Sequence, residues 1–131
     1  MDCMERSAVV DWLNAYVTAW KSYEPAAIGE LFSEEATYSY HPFDDPVVGR
    51  AAIVASWLAD PDAPGTYDAH YEPIAIDGDV VVVNGRSRYF KDSTRSEQTK
   101  EWDNIFVVEF DKEGQCRSFR EWYVARRGQA E

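Results

Sequence analysis

Histidine, cysteine and basic residues are all scarce in this chain, and each scarcity removes a class of function. There are two histidines, His41 and His70, and two cysteines, Cys3 and Cys116. No zinc-ligand spacing and no helical histidine pair can be built from them. The run His41-Pro42-Phe43-Asp44-Asp45 holds ligand types but is too thin a donor set for a first-row metal, so no metal site is expected. Nothing requires a disulfide. With 13 Lys and Arg against 24 Asp and Glu, the net charge is −11. Such a surface repels a phosphate backbone and an anionic membrane, so neither nucleic acid nor membrane is an expected partner. The apolar runs are far too short to span a bilayer. The opening Met1-Asp2-Cys3-Met4-Glu5-Arg6 lacks the basic start and apolar stretch of a signal peptide, which makes a cytoplasmic, reducing location the expectation. Gly78, Gly85 and Gly114 are scattered and read as turns or bulges, not as a phosphate cradle. There is no nucleophile elbow and no placed Ser-His-Asp set. No cofactor is expected.

What the chain does have is a core. Its 131 residues suit one domain, and a 45% hydrophobic share with 15% aromatics excludes a disordered chain and suits a lined cavity. The expectation is a single domain over residues 1–131, its core at about 7–124, with 1–6 and 125–131 frayed. Val9, Val10, Leu13, Tyr16, Val17 and Trp20 recur at helical spacing, so residues 7 to 22 read as an amphipathic helix with Ser7 as N-cap. Pro25 suits the first turn of a second helix that buries Ile28, Leu31 and Phe32. Residues 37 to 41 are β-prone, and 42 to 46 read as a loop. Gly49-Arg50 leads into a third helix with Ile53, Val54, Trp57 and Leu58 as its stripe.

The second half reads as strands. Residues 66 to 76 form one, interrupted near Pro73. Asp77-Gly78-Asp79 signals a hairpin, and a long strand follows over 80 to 90. A polar connection spans 91 to 100, then strands cover 101 to 110 and 115 to 124. Helices first and hairpin-linked strands afterwards indicate an α+β domain with a curved antiparallel sheet. Val80-Val81-Val82-Val83 and Ile105-Phe106-Val107-Val108 are apolar on both faces, unlike a half-solvated strand. One face should cover the helices and a pocket. The other, carrying Arg120 and Trp122, should be covered by a second subunit, giving a homodimer through the outer sheet face.

The order of an aromatic helix (Tyr16 to Trp20), a short helix ending in Leu31-Phe32, a strand through Tyr38 and Tyr40, Gly49-Arg50, and a closing strand with Glu121-Trp122 resembles the SnoaL-like group of the nuclear transport factor 2-like superfamily. The resemblance covers about residues 7 to 124. It implies a cone of N-terminal helices on a strongly curved sheet, with an internal pocket for a small, mostly apolar or aromatic molecule. The implied walls are Tyr16, Trp20, Tyr38, Tyr40, Trp57, His70, Asn104, Phe106, Phe119, Glu121 and Tyr123. Against the steroid-isomerase branch, Tyr16 falls at the oxyanion-holding tyrosine, but Tyr40 stands where the base aspartate should be and Phe106 where the second acid should be. That chemistry is disfavoured, and Tyr16 reads equally as a buried structural tyrosine. Against dehydratases resembling scytalone dehydratase, Tyr40, His70 and Asn104 fall near matching places. Trp20 and Lys21, however, replace a tyrosine and an acid, and a second catalytic histidine is missing. His41 has the opposite parity to Tyr40 and should point away. His70 shares parity with Ile74 and Ile76, so burial as a structural histidine is favoured unless Pro73 introduces a bulge.

Glu121 shares its face with Phe119 and Tyr123, which should point inward. A carboxylate there either keeps a raised pKa and works as an acid or base, or pairs with an arginine, for which Arg50, Arg86 and Arg88 are candidates. Pairing is the expectation, because buried acids are usually satisfied. Two functions stay open. One is a cofactor-independent lyase, isomerase or cyclase, with Tyr40 and His70 polarising and shuttling protons, Glu121 as acid or base, and Tyr16 holding an oxygen. The other is a non-catalytic ligand-binding or dimerisation module.

Overall fold

Helix α1 (Arg6–Ser22) buries Val9, Trp12, Leu13, Tyr16 and Ala19, the apolar face that its spacing announces. Ser7 does not cap it. The helix starts one residue earlier, and the Arg6 guanidinium anchors that first turn by donating to the Pro73 carbonyl at 2.8 Å. Tyr23 closes the helix in the left-handed conformation. Pro25 opens α2 (Pro25–Glu30), where its missing N–H costs nothing. The structure is a computed structural model that describes residues 4–129, so Cys3 lies outside the described residues.

Strand β1 (Phe32–Ser39) begins well before the β-prone run and ends before Tyr40. The short β2 (Val47–Val48) pairs with it. Gly49, at φ 96°, makes the turn into α3 (Arg50–Ala59), a backbone angle that side-chain-bearing residues rarely adopt. Ile53 and Trp57 are the buried residues of α3, while Leu58, expected on the same stripe, is 37% exposed. Strands β3 (Tyr67–Asp77), β4 (Val80–Phe90), β5 (Gln98–Phe110) and β6 (Cys116–Ala125) follow the hairpin pattern. β5 takes in the end of the segment read as a polar connection. Beyond β6, the Gln129 side-chain oxygen accepts from the Glu101 backbone N–H at 2.6 Å.

The six strands run in the order β2-β1-β6-β5-β4-β3. The hairpin-linked pairs are antiparallel, as expected, but β1 and β6 meet in parallel, so the curved sheet is mixed. Two features bend its far edge. A bulge between Pro73 and Ala75 shifts the β3–β4 register, at a residue that has no N–H to give the ladder. Opposite Tyr71, two residues before Pro73, Gly85 lies so close to β3 that a Cβ there would overlap the His70 carbonyl oxygen and the Tyr71 ring. The core fills the space between the helices and the concave face, with Phe32, Tyr38, Phe106, Phe110 and Phe119 its largest fully buried side chains. Among the described residues, no helix is long and apolar enough to cross a membrane.

Candidate functional site

The concave sheet face and the C-terminal halves of α1 and α3 enclose a cavity of about 370 Å³. Its floor is aromatic. The Tyr16 and Tyr38 hydroxyls share a hydrogen bond of 2.7 Å, and Phe119 stacks on Tyr38 with ring centres 4.4 Å apart. Burial, with the charge of Glu121 adding to it, holds both hydroxyls well above the ordinary phenol range. They are therefore neutral donors at physiological pH.

Glu121 stands on β6, directly opposite Phe106 and diagonal to Asn104 on β5. Asn104 Nδ2 donates to Glu121 Oε2 at 2.8 Å, and Ser87 Oγ donates to Asn104 Oδ1 at 3.0 Å. This relay fixes which end of the Asn104 amide faces the acid. Burial pushes the Glu121 carboxyl up to about 7, with the Asn104 bond pulling the other way. The expected arginine clamp is not there. Arg50 donates to the Phe32 carbonyl, Arg86 pairs with Asp103, and Arg88 pairs with Asp68. The parity of β4 explains two of these: Arg86 and Arg88 alternate with the inward Ser87 and so face the far side of the sheet.

Tyr40 lines the cavity and donates to Ser56 Oγ at 2.8 Å, since the Ser56 hydroxyl itself donates to the Ile53 carbonyl. On the segment after α3, Asp62 Oδ2 accepts from Trp20 Nε1 at 3.1 Å and from the Tyr23 hydroxyl at 3.4 Å. The Trp57 indole N–H is buried and has no acceptor among the described residues.

The structure brings most of the sequence-derived residues together and corrects others. Tyr16, Trp20, Tyr38, Tyr40, Trp57, Asn104 and Glu121 all line the cavity. His70 does not: its ring is exposed, lies on the outer face and bonds Glu72 Oε1 at 3.2 Å. Ile74 is exposed like His70, the bulge after Pro73 puts the inward Ile76 on the other parity, and the neighbouring Tyr71 takes the inward position. Phe106 and Phe119 are core beneath the cavity rather than wall, because the Tyr16, Tyr38 and Tyr71 rings cover them. Tyr123 lies on an adjoining hollow of about 410 Å³ that shares Glu121, Asn104, Ser87 and Tyr89 with the first. His41 also lines that hollow, edge-on to Tyr123. Strand parity does not govern it, because β1 has ended at Ser39. Sequence reasoning missed Ser87 and Tyr89, although both continue the inward alternation of Val81 and Val83. It also missed Tyr71, hidden by the bulge, and Tyr23, Ser56, Asp60 and Asp62, for which no local signal exists.

Comparison with known proteins agrees with this architecture. The chain belongs to the SnoaL-like domain family, whose model matches residues 13–119. A search of curated protein sequences finds no match. Among solved structures, the chain is similar to an NTF-2 like protein of unknown function from Burkholderia xenovorans LB400, at 13% identity and a TM-score of 0.68, over 95% of this chain and 88% of that one. It is similar to an LEH-like epoxide hydrolase of M. tuberculosis, at 12% identity and a TM-score of 0.64, over 92% and 86% of the two chains. A provisionally assigned ketosteroid isomerase from Kribbella flavida matches at 12% identity and a TM-score of 0.68, over 96% and 84%. At these identities the likeness is one of fold.

Proposed function

We propose that the cavity binds a small, largely apolar or aromatic molecule and carries out acid–base chemistry on it with side chains alone, as a lyase, isomerase or cyclase. The observation that carries this reading is Glu121: a carboxyl in the cavity wall, without a cationic partner among the described residues, pushed up to about 7. Both of its protonation states are then populated at neutral pH, the condition for one group to take a proton and return it. The ionised form removes a proton from a carbon beside a carbonyl. A neutral tyrosine hydroxyl, from whichever of Tyr16 and Tyr38 accepts the bond that they share, donates to the oxygen that gains charge. The protonated acid then delivers its proton to another carbon, which isomerises the substrate, or to a departing hydroxyl, which leaves as water. Asn104 and Ser87 orient the carboxyl throughout.

The test needs no natural substrate. Small aromatic ketones incubated with the protein in deuterated water would exchange their α-protons, followed by NMR. Exchange should be lost in Glu121→Gln while ketone binding is retained. Binding without exchange in the wild type would favour a non-catalytic binding module.

In the same reading the outer sheet face pairs with a second copy of the chain. Val82 lies opposite Val107, and Ile105 opposite Trp122, which is 37% exposed with the Arg120 guanidinium over its ring. Analytical ultracentrifugation should find a dimer that the pair Val82→Lys and Ile105→Lys splits. A wild-type monomer would reject it.

A further inference from the structure

We infer that the cavity recognises a small organic cation: an amine or quaternary ammonium group carried on an apolar or aromatic body. This deepens the proposed function by naming a ligand class. It rests on the cavity being a small-molecule site, not on its being catalytic.

The wall chemistry is one-sided. Of the side chains lining the cavity, eight are tyrosine or tryptophan, three are carboxylic acids (Asp60, Asp62 and Glu121), and none is lysine, arginine or histidine. Aromatic faces attract a cation through their quadrupole, most strongly where water is excluded. The acids come from different elements, Glu121 from β6 and the two aspartates from the segment that follows α3. None of the three forms an ion pair with a described residue.

Basic side chains are available nearby and are held elsewhere. Lys21 follows Trp20 directly in sequence, yet its ammonium bonds Asp68 at 3.5 Å. Arg88 and Arg95 meet the same carboxylate, each at 3.6 Å. Asp68 thus gathers the local positive charge outside the cavity wall and leaves the wall acids to a ligand. The helix fields act in the same direction. Trp20, Ser56 and Trp57 come from the last turns of α1 and α3, where the partial charge of a helix is negative.

A carboxylate or phosphate ligand would meet the charge of these acids with no basic side chain in the wall to offset it.

The test compares three probes of matched size. The full chain is titrated with benzyltrimethylammonium, with its neutral isostere neopentylbenzene, and with phenylacetate. Binding is read by intrinsic fluorescence, since Trp20 and Trp57 are in the wall, and by calorimetry. The cation should bind about tenfold more tightly than the neutral isostere, and phenylacetate more weakly than either. Asp62→Asn should weaken the cation about threefold to tenfold and leave the neutral probe unchanged. Asp60→Asn, whose side chain holds up no neighbour, should do the same if Asp62→Asn disturbs Trp20. Equal or tighter binding of the neutral probe would overturn the cation preference and leave the acid–base reading standing. No binding by any probe would overturn both.

Discussion

Asn104 donates to Glu121 across the β5–β6 ladder at 2.8 Å, and that bond opposes the burial that drives the carboxyl upward. Two consequences follow for titration. The Glu121 carboxyl, observed by carbon-detected NMR, should titrate near pH 7 in the wild type. In Asn104→Ala the bond is gone while the burial stays, so the midpoint should move higher still. A rate that depends on ionised Glu121 should rise through the same pH and shift with the same variant. A wild-type midpoint near the ordinary 4.5 would sink the acid–base reading.

The same raised pKa makes Glu121 a liability for folding. The folded state holds its proton to about 7, whereas the unfolded chain releases it near 4.5. Between those values the folded state binds more protons, so stability falls as pH rises and levels off above about 7. The full shift corresponds to roughly 3 kcal/mol, and about 2 kcal/mol is expected because Glu121 keeps part of its exposure at the cavity. Glu121→Gln removes the ionisation and keeps an acceptor for Asn104. Urea melts should therefore find the variant more stable than wild type by about 2 kcal/mol at pH 8, and equal to it at pH 4. No difference at pH 8 would mean that water solvates the carboxylate freely.

Tyr16 and Tyr38 satisfy each other on the cavity floor. Replacing either one by Phe leaves a buried hydroxyl without its partner and should cost about 1–3 kcal/mol. Replacing both removes the need as well as the bond, so the double variant should lose clearly less than the sum. A double-mutant cycle from chemical denaturation measures this coupling. Strict additivity would mean that the two hydroxyls do not meet.

How much of this could be read from sequence depends on where local rules hold. The helices and hairpin strands were legible because Val9, Leu13 and Tyr16, or Val81 and Val83, repeat at the period of their element. Glu121 was legible as an inward acid for the same reason. Its partner was not, because Asn104 and Glu121 are joined only by the β5–β6 register, and the candidate arginines find Phe32, Asp103 and Asp68 instead. The parallel contact of β1 with β6 joins strands about 80 residues apart in sequence, and no periodicity announces it. His70 shows the failure most sharply. Strand parity assigns it correctly only if the extra residue at Pro73–Ala75 is counted.

That bulge leads to the most severe substitution expected of this chain. Gly85 sits opposite Tyr71, three residues from Val82 and the register shift. An alanine would ordinarily stabilise a strand slightly relative to glycine, because glycine loses more conformational freedom on folding. Here the added methyl group would run into the His70 carbonyl oxygen and the Tyr71 ring, and one of these contacts is backbone that cannot rotate away. β3 and β4 would have to separate at the point where Tyr71 enters the cavity wall. Gly85→Ala should cost roughly 3 kcal/mol and loosen the cavity together with the sheet edge. Denaturant midpoints and hydrogen exchange of the β3–β4 amides would measure both effects. An unchanged midpoint with native β3–β4 protection would mean that the two strands do not approach as closely as their register requires.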